Sequence, residues 1–141
     1  MMATHLGNAP FDAIPMDTKM VDQQGDIWFL SDGASDHNAN IKNDSRTQLL
    51  YSGTNDMKFL SVYGTSEIVT DVEKIKEIYD KADNAYLNGP EDPNTTAIRF
   101  TPKEAAYWDT SENKLVILFK MAKAVVTGEN QDIGSSGKMN L

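Results

Sequence analysis

The segment from Gly33 to Asp44, GASDHNANIKND, carries side chains that could bind an anionic group. It follows an apolar run, DIWFLSD, and Ser35 is well placed to cap a short helix there. The N-terminus of a helix attracts phosphate and other anions through its unpaired backbone N–H groups. The charged neighbours are nevertheless Asp32 and Asp36, and the basic candidate is the mostly neutral imidazole of His37. The segment is therefore a ligand cradle, an impaired one, or an ordinary surface helix.

No other group of residues in the sequence predicts a catalytic or metal centre. There are no cysteines, which excludes a thiolate metal site, a disulfide framework and a cysteine nucleophile. The two histidines, His5 and His37, stand apart from each other and from any cluster of acids, so no metal site is predicted. The carboxylates fall in separate turns and strands, and their spacing indicates no acid–base pair. We therefore expect no catalytic residue that acts without a bound cofactor.

Composition predicts a soluble globular protein with an acidic surface. The 141 residues are 40% hydrophobic, and 21 acidic against 13 basic side chains give a formal net charge of −8. Such a surface repels nucleic-acid phosphates and anionic lipids, so we expect no binding to nucleic acid or membranes. No apolar run approaches the ~20 residues that span a bilayer, and the opening MMATHLGNAP is unlike a signal peptide. We expect a single domain over residues 1–141, located in the cytoplasm.

The elements that must position the anion-binding candidates are mostly short strands. Trp28 and Phe29 should point to opposite faces of the third strand, because side chains alternate along a strand. Gly64 should relieve a bend in a long strand of a strongly curved sheet, and a turn is expected at Thr101–Pro102. The predicted strands are Met1–Leu6, Phe11–Val21, Asp26–Ser31, Arg46–Ser52, Met57–Val69, Thr95–Phe100, Glu104–Asp109 and Lys138–Leu141.

Three helices are predicted. The first covers Ser35–Asn43, with Ala39 and Ile41 as its apolar anchors. The second covers Thr70–Leu87 and begins with the capping-box spacing T-x-x-E. The third lies in the Glu112–Gly128 region, where an apolar run suits a buried strand as well as a helix. Short strands with two or three helices predict a mainly β fold, a closed or half-closed antiparallel barrel with peripheral helices.

Several strings of the chain, taken in order, resemble one protein family. They are IPM (Ile14–Met16), DIWFLS (Asp26–Ser31), VYGTSEIV (Val62–Val69), AAYWD (Ala105–Asp109) and KMAKAVVTGE (Lys120–Glu129). The ordered set is similar to the flavin-binding split barrels related to pyridoxamine 5′-phosphate oxidase, and most similar to their general stress protein 26 branch. The resemblance implies an antiparallel FMN-binding split barrel and a homodimer, with flavin mononucleotide (FMN) in the groove between the two subunits.

The resemblance also implies which residues would contact the cofactor. The backbone from Ile14 to Asp17 would lie along the flavin ring, and hydroxyl groups at Ser31 and Ser35 would face the phosphate. Two cationic positions of the family are changed, since its arginine falls on Ile14 and its lysine on His37. Losing two charge-assisted hydrogen bonds weakens phosphate binding by roughly two to four decades. The predicted cofactor-binding residues are Ile14, Pro15, Met16, Asp17, Leu30, Ser31, Ser35, His37 and Trp108, whose indole suits stacking on a flat ring.

Two functions of different classes follow from these observations. The first is a flavin-dependent oxidoreductase of the general stress type, in which the cofactor carries the redox chemistry. The second is a non-catalytic split-barrel dimer that binds flavin weakly or binds another flat ligand. The preserved hydroxyl groups and the string AAYWD favour the first, and the retained strings with lost cations favour the second. The family's N-terminal helix has no counterpart ahead of Met1–Leu6, so either that helix is absent or it precedes this sequence.

Overall fold

The computed structural model describes residues 1–53 and 58–108, and the backbone of residues 136–140. The third predicted helix, Glu112–Gly128, lies outside the described residues. Two helices and a short 3-10 turn connect the strands. In chain order the elements are β1 (Met2–Thr4), β2 (Asp12–Ile14), β3 (Met20–Val21), β4 (Ile27–Asp32), α1 (Asp36–Asn43), β5 (Arg46–Gly53), β6 (Lys58–Val69), α2 (Val72–Ile78), the 3-10 turn (Lys81–Ala85), β7 (Thr95–Trp108) and β8 (Ser136–Asn140).

The strands form one antiparallel sheet in the order β2-β1-β5-β6-β7-β4-β3, and β8 also pairs with β7. The long β7 has two partners in succession, since β4 pairs with Thr95–Phe100 and β8 pairs with Glu104–Trp108. Residues of β1 and β4, which are separated by β5, β6 and β7 in the sheet, belong to the same apolar cluster. The sheet therefore curls around a common interior, which confirms the predicted half-closed antiparallel barrel with peripheral helices.

Two apolar clusters lie on opposite faces of the sheet. The inner cluster is built from β1, β4, β5, β6 and β7 and contains Phe29, which is 1% exposed. The outer cluster contains Trp28 and forms where Ile75 and Ile78 of α2 cover β4 and β7. The two aromatic neighbours thus belong to different clusters, as the alternation along a strand predicts. The Trp28 indole N–H donates to Asp22 at 2.7 Å, so Trp28 is a satisfied core residue.

The predicted turn at Thr101–Pro102 is wrong, because β7 is one continuous strand. Pro102 lies between the part of β7 that pairs with β4 and the part that pairs with β8, where that edge requires no ladder bond. Opposite Pro102, the register of β6 shifts immediately before Gly64. A Cβ atom at Gly64 would collide with the carbonyl oxygen of Thr101 and the ring of Phe100. The predicted irregularity at Gly64 is therefore confirmed, and only glycine fits the close approach.

The predicted helix over Thr70–Leu87 is wrong in its extent, since α2 ends early and the 3-10 turn follows it. Asp80 begins that turn with a reciprocal pair of bonds. Its side chain accepts from the Ala82 amide at 2.7 Å, and the Asp83 side chain accepts from the Asp80 amide at 2.8 Å. Aspartate side chains that bind nearby backbone groups compete with helix continuation, so the long helix divides at this point.

The N-caps of the two helices differ in how well the sequence predicts them. Ser35 caps α1 as predicted, and its hydroxyl oxygen accepts from the Asn38 amide at 3.4 Å. The predicted cap of the second helix, Thr70, is wrong. Asp71 takes that role, and its carboxylate accepts from the Glu73 amide at 2.9 Å. Thr70 and Asp71 are adjacent, and both have side chains that can cap a helix, so residue type alone does not distinguish them.

The predicted strand over Phe11–Val21 divides into β2 and β3. Between them lies an irregular stretch, Pro15–Lys19, which we call the PMDTK segment. Pro15 cannot donate to a strand ladder, and strands therefore end or bulge at such a residue. The PMDTK segment leaves the sheet edge and becomes available to form a wall of the site described next. No helix in the described parts of the chain is long and apolar enough to cross a membrane.

Candidate functional site

A cavity of about 700 Å³ lies where the PMDTK segment, the end of β4, the first turn of α1 and the 3-10 turn meet. We call it the β4 pocket. Three separate stretches of sequence supply the residues that the sequence analysis predicted for cofactor contact. Those that line the pocket are Ile14, Pro15, Met16, Asp17, Leu30, Ser31 and His37.

Two of the predicted residues, Ser35 and Trp108, do not line the pocket. Ser35 is one contact removed, since its hydroxyl oxygen lies 3.0 Å from Nε2 of His37. Trp108 lies beyond the part of β7 that pairs with β4, where it is the partner of Phe59 and is 53% exposed. Within one chain the indole is not brought to the pocket. Stacking of Trp108 on a ligand there would require a second copy of the chain.

The pocket also has lining residues that the sequence analysis missed. Tyr86 and Leu87 were assigned to the end of a long helix, and only the break at Asp80 turns this stretch toward β4. No local pattern predicts a role for Lys19, because the carboxylates to which it donates hydrogen bonds are more than sixty residues away in sequence. The missed lining residues are Lys19, Asp32, Ala82, Asp83, Tyr86 and Leu87.

Lys19 holds the 3-10 turn against the PMDTK segment. Its Nζ donates to Asp80 at 2.7 Å and to Asp83 at 3.0 Å, and it lies 3.6 Å from the carboxylate of Asp17. The side chain is 6% exposed. Burial opposes the charge, but the bonds to Asp80 and Asp83 outweigh it and raise the pKa of Lys19 above its ordinary value. The ammonium group is therefore charged and already engaged by carboxylates.

The hydroxyl of Ser31 belongs to a buried hydrogen-bonded triangle. It donates to Asn38 Oδ1 at 2.8 Å, and Asn38 Nδ2 donates to Thr96 Oγ1 at 2.9 Å. Thr96 Oγ1 lies 2.8 Å from Ser31 Oγ and donates to the Ser31 carbonyl oxygen at 3.2 Å. The triangle fixes α1 to β4 and β7. Asn38 and Ile41 are the buried residues of the helix, so the predicted anchoring role of Ala39, which is exposed, is wrong.

His37 is half-buried, and Ser35 holds its ring. The Ser35 hydroxyl has one hydrogen, which it donates to the Asp32 carbonyl oxygen at 2.6 Å. The contact between Ser35 Oγ and His37 Nε2 must then be donated by the histidine, which leaves Nδ1 as an acceptor on a neutral ring. Burial lowers the pKa of His37 despite the opposing charges of Asp32 and Asp36. The imidazole is therefore neutral at pH 7.

The walls of the β4 pocket suit a flat ring. Aliphatic and thioether side chains come from Ile14, Met16, Leu30 and Leu87. Tyr86 adds an aromatic group at the rim, where it is 88% exposed. A concave site with apolar walls and a few polar groups is the usual environment of a ring-shaped ligand or cofactor. The size and lining of the pocket therefore fit the isoalloxazine part of a flavin.

The same residues do not fit the phosphate group of FMN. Phosphate is held mainly by charge-assisted donors, above all arginine and lysine. Among the described lining residues Lys19 is already bound by carboxylates, and His37 is neutral. The hydroxyl hydrogens of Ser31 and Ser35 are given to Asn38 and Asp32. The side-chain donors of the residues predicted to contact the phosphate are thus used within the chain.

A protein-family model described as "Pyridoxamine 5′-phosphate oxidase like" matches residues 1–132. The match covers every element from β1 to β7. A curated relative, Protein bli-3 of Neurospora crassa, is 26% identical over 113 residues, which are 74% of this chain and 54% of that protein. The chain thus spans about half the length of this relative.

Solved structures show the same fold. The General Stress Protein 26 from Bacillus anthracis superimposes with a TM-score of 0.67 at 22% identity, over 75% of this chain and 80% of that chain. The general stress FMN/FAD binding protein from Xanthomonas citri gives a TM-score of 0.66 at 22% identity, over 79% and 80% of the two chains. Similarity at this level establishes the fold and confirms the predicted split barrel.

Proposed function

Because this chain belongs to the pyridoxamine 5′-phosphate oxidase-like family, we propose that it binds a flavin in the β4 pocket. One observation carries the proposal. Seven of the nine residues predicted for contact with the cofactor line a single cavity of about 700 Å³, although they come from three separate stretches of sequence. The similar protein from Xanthomonas citri is described as an FMN/FAD-binding protein, which supports a flavin as the ligand.

The PMDTK segment supplies the groups that would recognise the polar edge of the ring. It lies outside the strands, and in the described ranges the amides of Met16 and Asp17 make no backbone hydrogen bond. Backbone N–H groups that no ladder uses are free to meet the carbonyl and nitrogen acceptors of an isoalloxazine. The apolar side chains of Ile14 and Leu30 would contact its face.

The finer form of the proposal is a flavin-dependent oxidoreductase of the general stress type. A bound flavin supplies hydride or electron transfer, and the protein supplies binding, orientation and electrostatics. The described lining residues include no pair that could act as nucleophile and base, so the chain's own role is to place the ring and limit access of water.

A second candidate function is a non-catalytic split-barrel dimer that binds flavin weakly or binds another flat ligand. One observation favours it, namely that the donors expected to hold FMN phosphate are engaged within the chain. The two candidates differ in a measurable way. In an oxidoreductase the bound flavin loses its visible absorbance when a nicotinamide hydride donor is added without oxygen, and in a passive binder it does not.

The proposed assembly is a homodimer, and the proposed location is the cytoplasm. Large apolar side chains are exposed on one face of β5, β6 and β7, where Phe59 is the register partner of Trp108 and Leu50 lies two rungs away on the same face. Leu50 is 42% exposed and Phe59 48% exposed. A second copy that covers this face would remove these side chains from water, which supports a two-fold dimer.

The proposed flavin site is tested by titrating the purified protein with riboflavin and with FMN while following flavin fluorescence. We expect saturable binding of at least one of them, and a Tyr86→Ala variant that binds it about two- to tenfold more weakly, because a ring contact is lost. Phe11→Ala is the matched control, since Phe11 is also an exposed aromatic residue (56%) but does not line the pocket. A preparation that binds neither flavin at any soluble concentration would contradict the proposal.

A further inference from the structure

The β4 pocket has an excess of negative charge among its described lining residues. Asp17, Asp32 and Asp83 contribute three carboxylates, against the single ammonium of Lys19. Asp17 lines the pocket and is 85% exposed at its side chain. Asp32 stands just before α1, where its carboxylate accepts from the Ala34 amide at 2.8 Å. A phosphate monoester that enters this pocket therefore meets like charges.

The one ammonium of the lining is not available to neutralise a ligand. Lys19 is 6% exposed and bonds Asp80 and Asp83 at 2.7 Å and 3.0 Å. To reach a ligand it would have to leave both carboxylates, which would add their uncompensated charge to the same pocket. The Lys19 cluster as a whole is acidic, because one ammonium faces Asp17, Asp80 and Asp83.

The side-chain hydrogens at the α1 end of the pocket are also used within the chain. Ser31 donates to Asn38, and Ser35 donates to the Asp32 carbonyl oxygen. His37 donates its Nε2 hydrogen to Ser35, so its second nitrogen is an acceptor. The amides of Ala34 and Asn38 are bound by side chains of the same turn. The side chains at this end of the pocket can accept hydrogen bonds from a ligand more readily than they can donate them.

On the premise that the pocket binds a flavin, as proposed above, we infer that its ligand is an uncharged flavin that lacks the phosphate, such as riboflavin, and that the acidic lining discriminates against FMN. The ribityl hydroxyl groups of riboflavin donate hydrogen bonds, which matches the acceptors at the α1 end. Phosphate oxygens only accept, and they carry the charge that three carboxylates repel. The chain thus keeps the ring-binding wall of its fold and has acidic groups where the phosphate would lie.

The experiment compares riboflavin and FMN by fluorescence titration of the whole chain at low and at high salt. We expect riboflavin to bind at least ~10-fold more tightly than FMN at low salt, because the phosphate is close to dianionic and its repulsion by carboxylates is barely screened there. Added salt should narrow the gap by strengthening FMN binding, with little change for riboflavin.

A pair of conservative variants separates charge from structure. Asp32→Asn keeps the side-chain oxygen that accepts from the Ala34 amide and removes one negative charge. It should tighten FMN about three- to tenfold and change riboflavin less than about twofold. Asp71→Asn is the matched control, because Asp71 accepts from the amide two residues ahead in the same way but does not line the pocket. It should change neither ligand.

Each outcome of these titrations either supports or overturns the inference. FMN that binds as tightly as riboflavin, or more tightly, overturns the inference and leaves the proposed flavin site standing. An Asp32→Asn variant that tightens both ligands equally also overturns it, because the effect would not act on the phosphate. Binding of neither flavin overturns the proposed function and the inference together.

Discussion

The α1 wall of the β4 pocket is held by side chains that bond one another. The opposite wall is held by the Lys19 ion cluster and by a hydrogen bond between Thr18 and Tyr51. In the described residues it leaves the amides of Met16 and Asp17 without a backbone hydrogen bond. On the α1 side, Ser31, Asn38 and Thr96 form a closed triangle that is almost inaccessible to water. On the other side, the PMDTK segment is irregular, and Lys19 links it to the 3-10 turn through Asp80 and Asp83.

The difference shows that polar side chains beside a pocket can stabilise the fold instead of binding a ligand. Serine, asparagine and threonine at the α1 wall stabilise the fold, and so they are not available as ligand donors. The PMDTK segment packs Met16 against the inner cluster, and the amides of Met16 and Asp17, which make no backbone hydrogen bond in the described residues, remain for a ring. Position in the chain predicted residues on both walls of the pocket. Their hydrogen-bond partners show on which wall donors remain unused.

The largest expected effect comes from breaking the triangle. Asn38→Ala leaves the Ser31 and Thr96 hydroxyls without their common partner and opens a small cavity beneath α1. We expect the free energy of unfolding to fall by about 2–4 kcal/mol, the usual cost of disrupting a buried polar network. Urea unfolding measures it. Asn43→Ala, an exposed change in the same helix, is the control. A loss within about 0.5 kcal/mol of the control value would mean that the triangle does not hold the wall.

The second prediction introduces cations at two lining positions of the pocket, one on each wall. The double variant Ile14→Arg with His37→Lys adds two donors that pair with phosphate oxygens. FMN should bind it at least ~10-fold more tightly than it binds the unmodified chain, and riboflavin should gain little. Fluorescence titration with both ligands measures the contrast.

An uncharged double variant, Ile14→Met with His37→Gln, is the control for the second prediction. It changes the same two positions without adding positive charge, so FMN should gain nothing. Equal gains for riboflavin and FMN in the cationic variant would show that the phosphate lies elsewhere and that α1 is only surface.

The third prediction concerns the ion pairs that hold the 3-10 turn. Lys19→Met removes the ammonium that bonds Asp80 and Asp83 and leaves two carboxylates facing each other. Amide hydrogen exchange at Ala82 and Asp83 should become about three- to tenfold faster, while the amides of α1 keep their rates, because local opening is confined to the turn. Lys81→Met, an exposed lysine of the same turn, is the control. Faster exchange throughout both walls would show that they open as one unit.

The smallest expected effect is a pH dependence at His37. Burial lowers the pKa of His37 in the folded chain, so the unfolded chain takes up this proton first as the pH falls. The contribution of the neutral His37 to the free energy of unfolding is therefore fully present above the ordinary pKa of about 6.5. It is lost as the pH falls through the lower pKa of His37 in the folded chain. The urea midpoint should decline between about pH 7 and pH 5, and less so in His37→Gln. Urea midpoints that fall equally with pH in the unmodified chain and in His37→Gln would contradict a buried, neutral imidazole at His37.

Several features of the fold were predictable because they depend on neighbouring residues only. Alternation along β4 assigned Trp28 and Phe29 to opposite faces, and a serine ahead of a polar helix predicted the cap at Ser35. Gly64 marked the irregularity of β6, since a side chain there would strike the facing strand. The order of the family's strings also predicted residues of separate stretches that the structure brings to one pocket, although their contact with a cofactor stays a prediction.

The availability of those residues was decided by the tertiary structure. Asn38 meets Thr96 across 58 positions of sequence, and Lys19 meets Asp80 across 61. The sheet order places β4 between β7 and β3, and this brings such distant groups within hydrogen-bonding distance. Pro102 is tolerated for the same kind of reason, because β4 and β8 leave a gap at that point of β7. A local pattern specifies which side chains carry donors and charges, but their partners depend on strand register, and the partners determine what remains for a ligand.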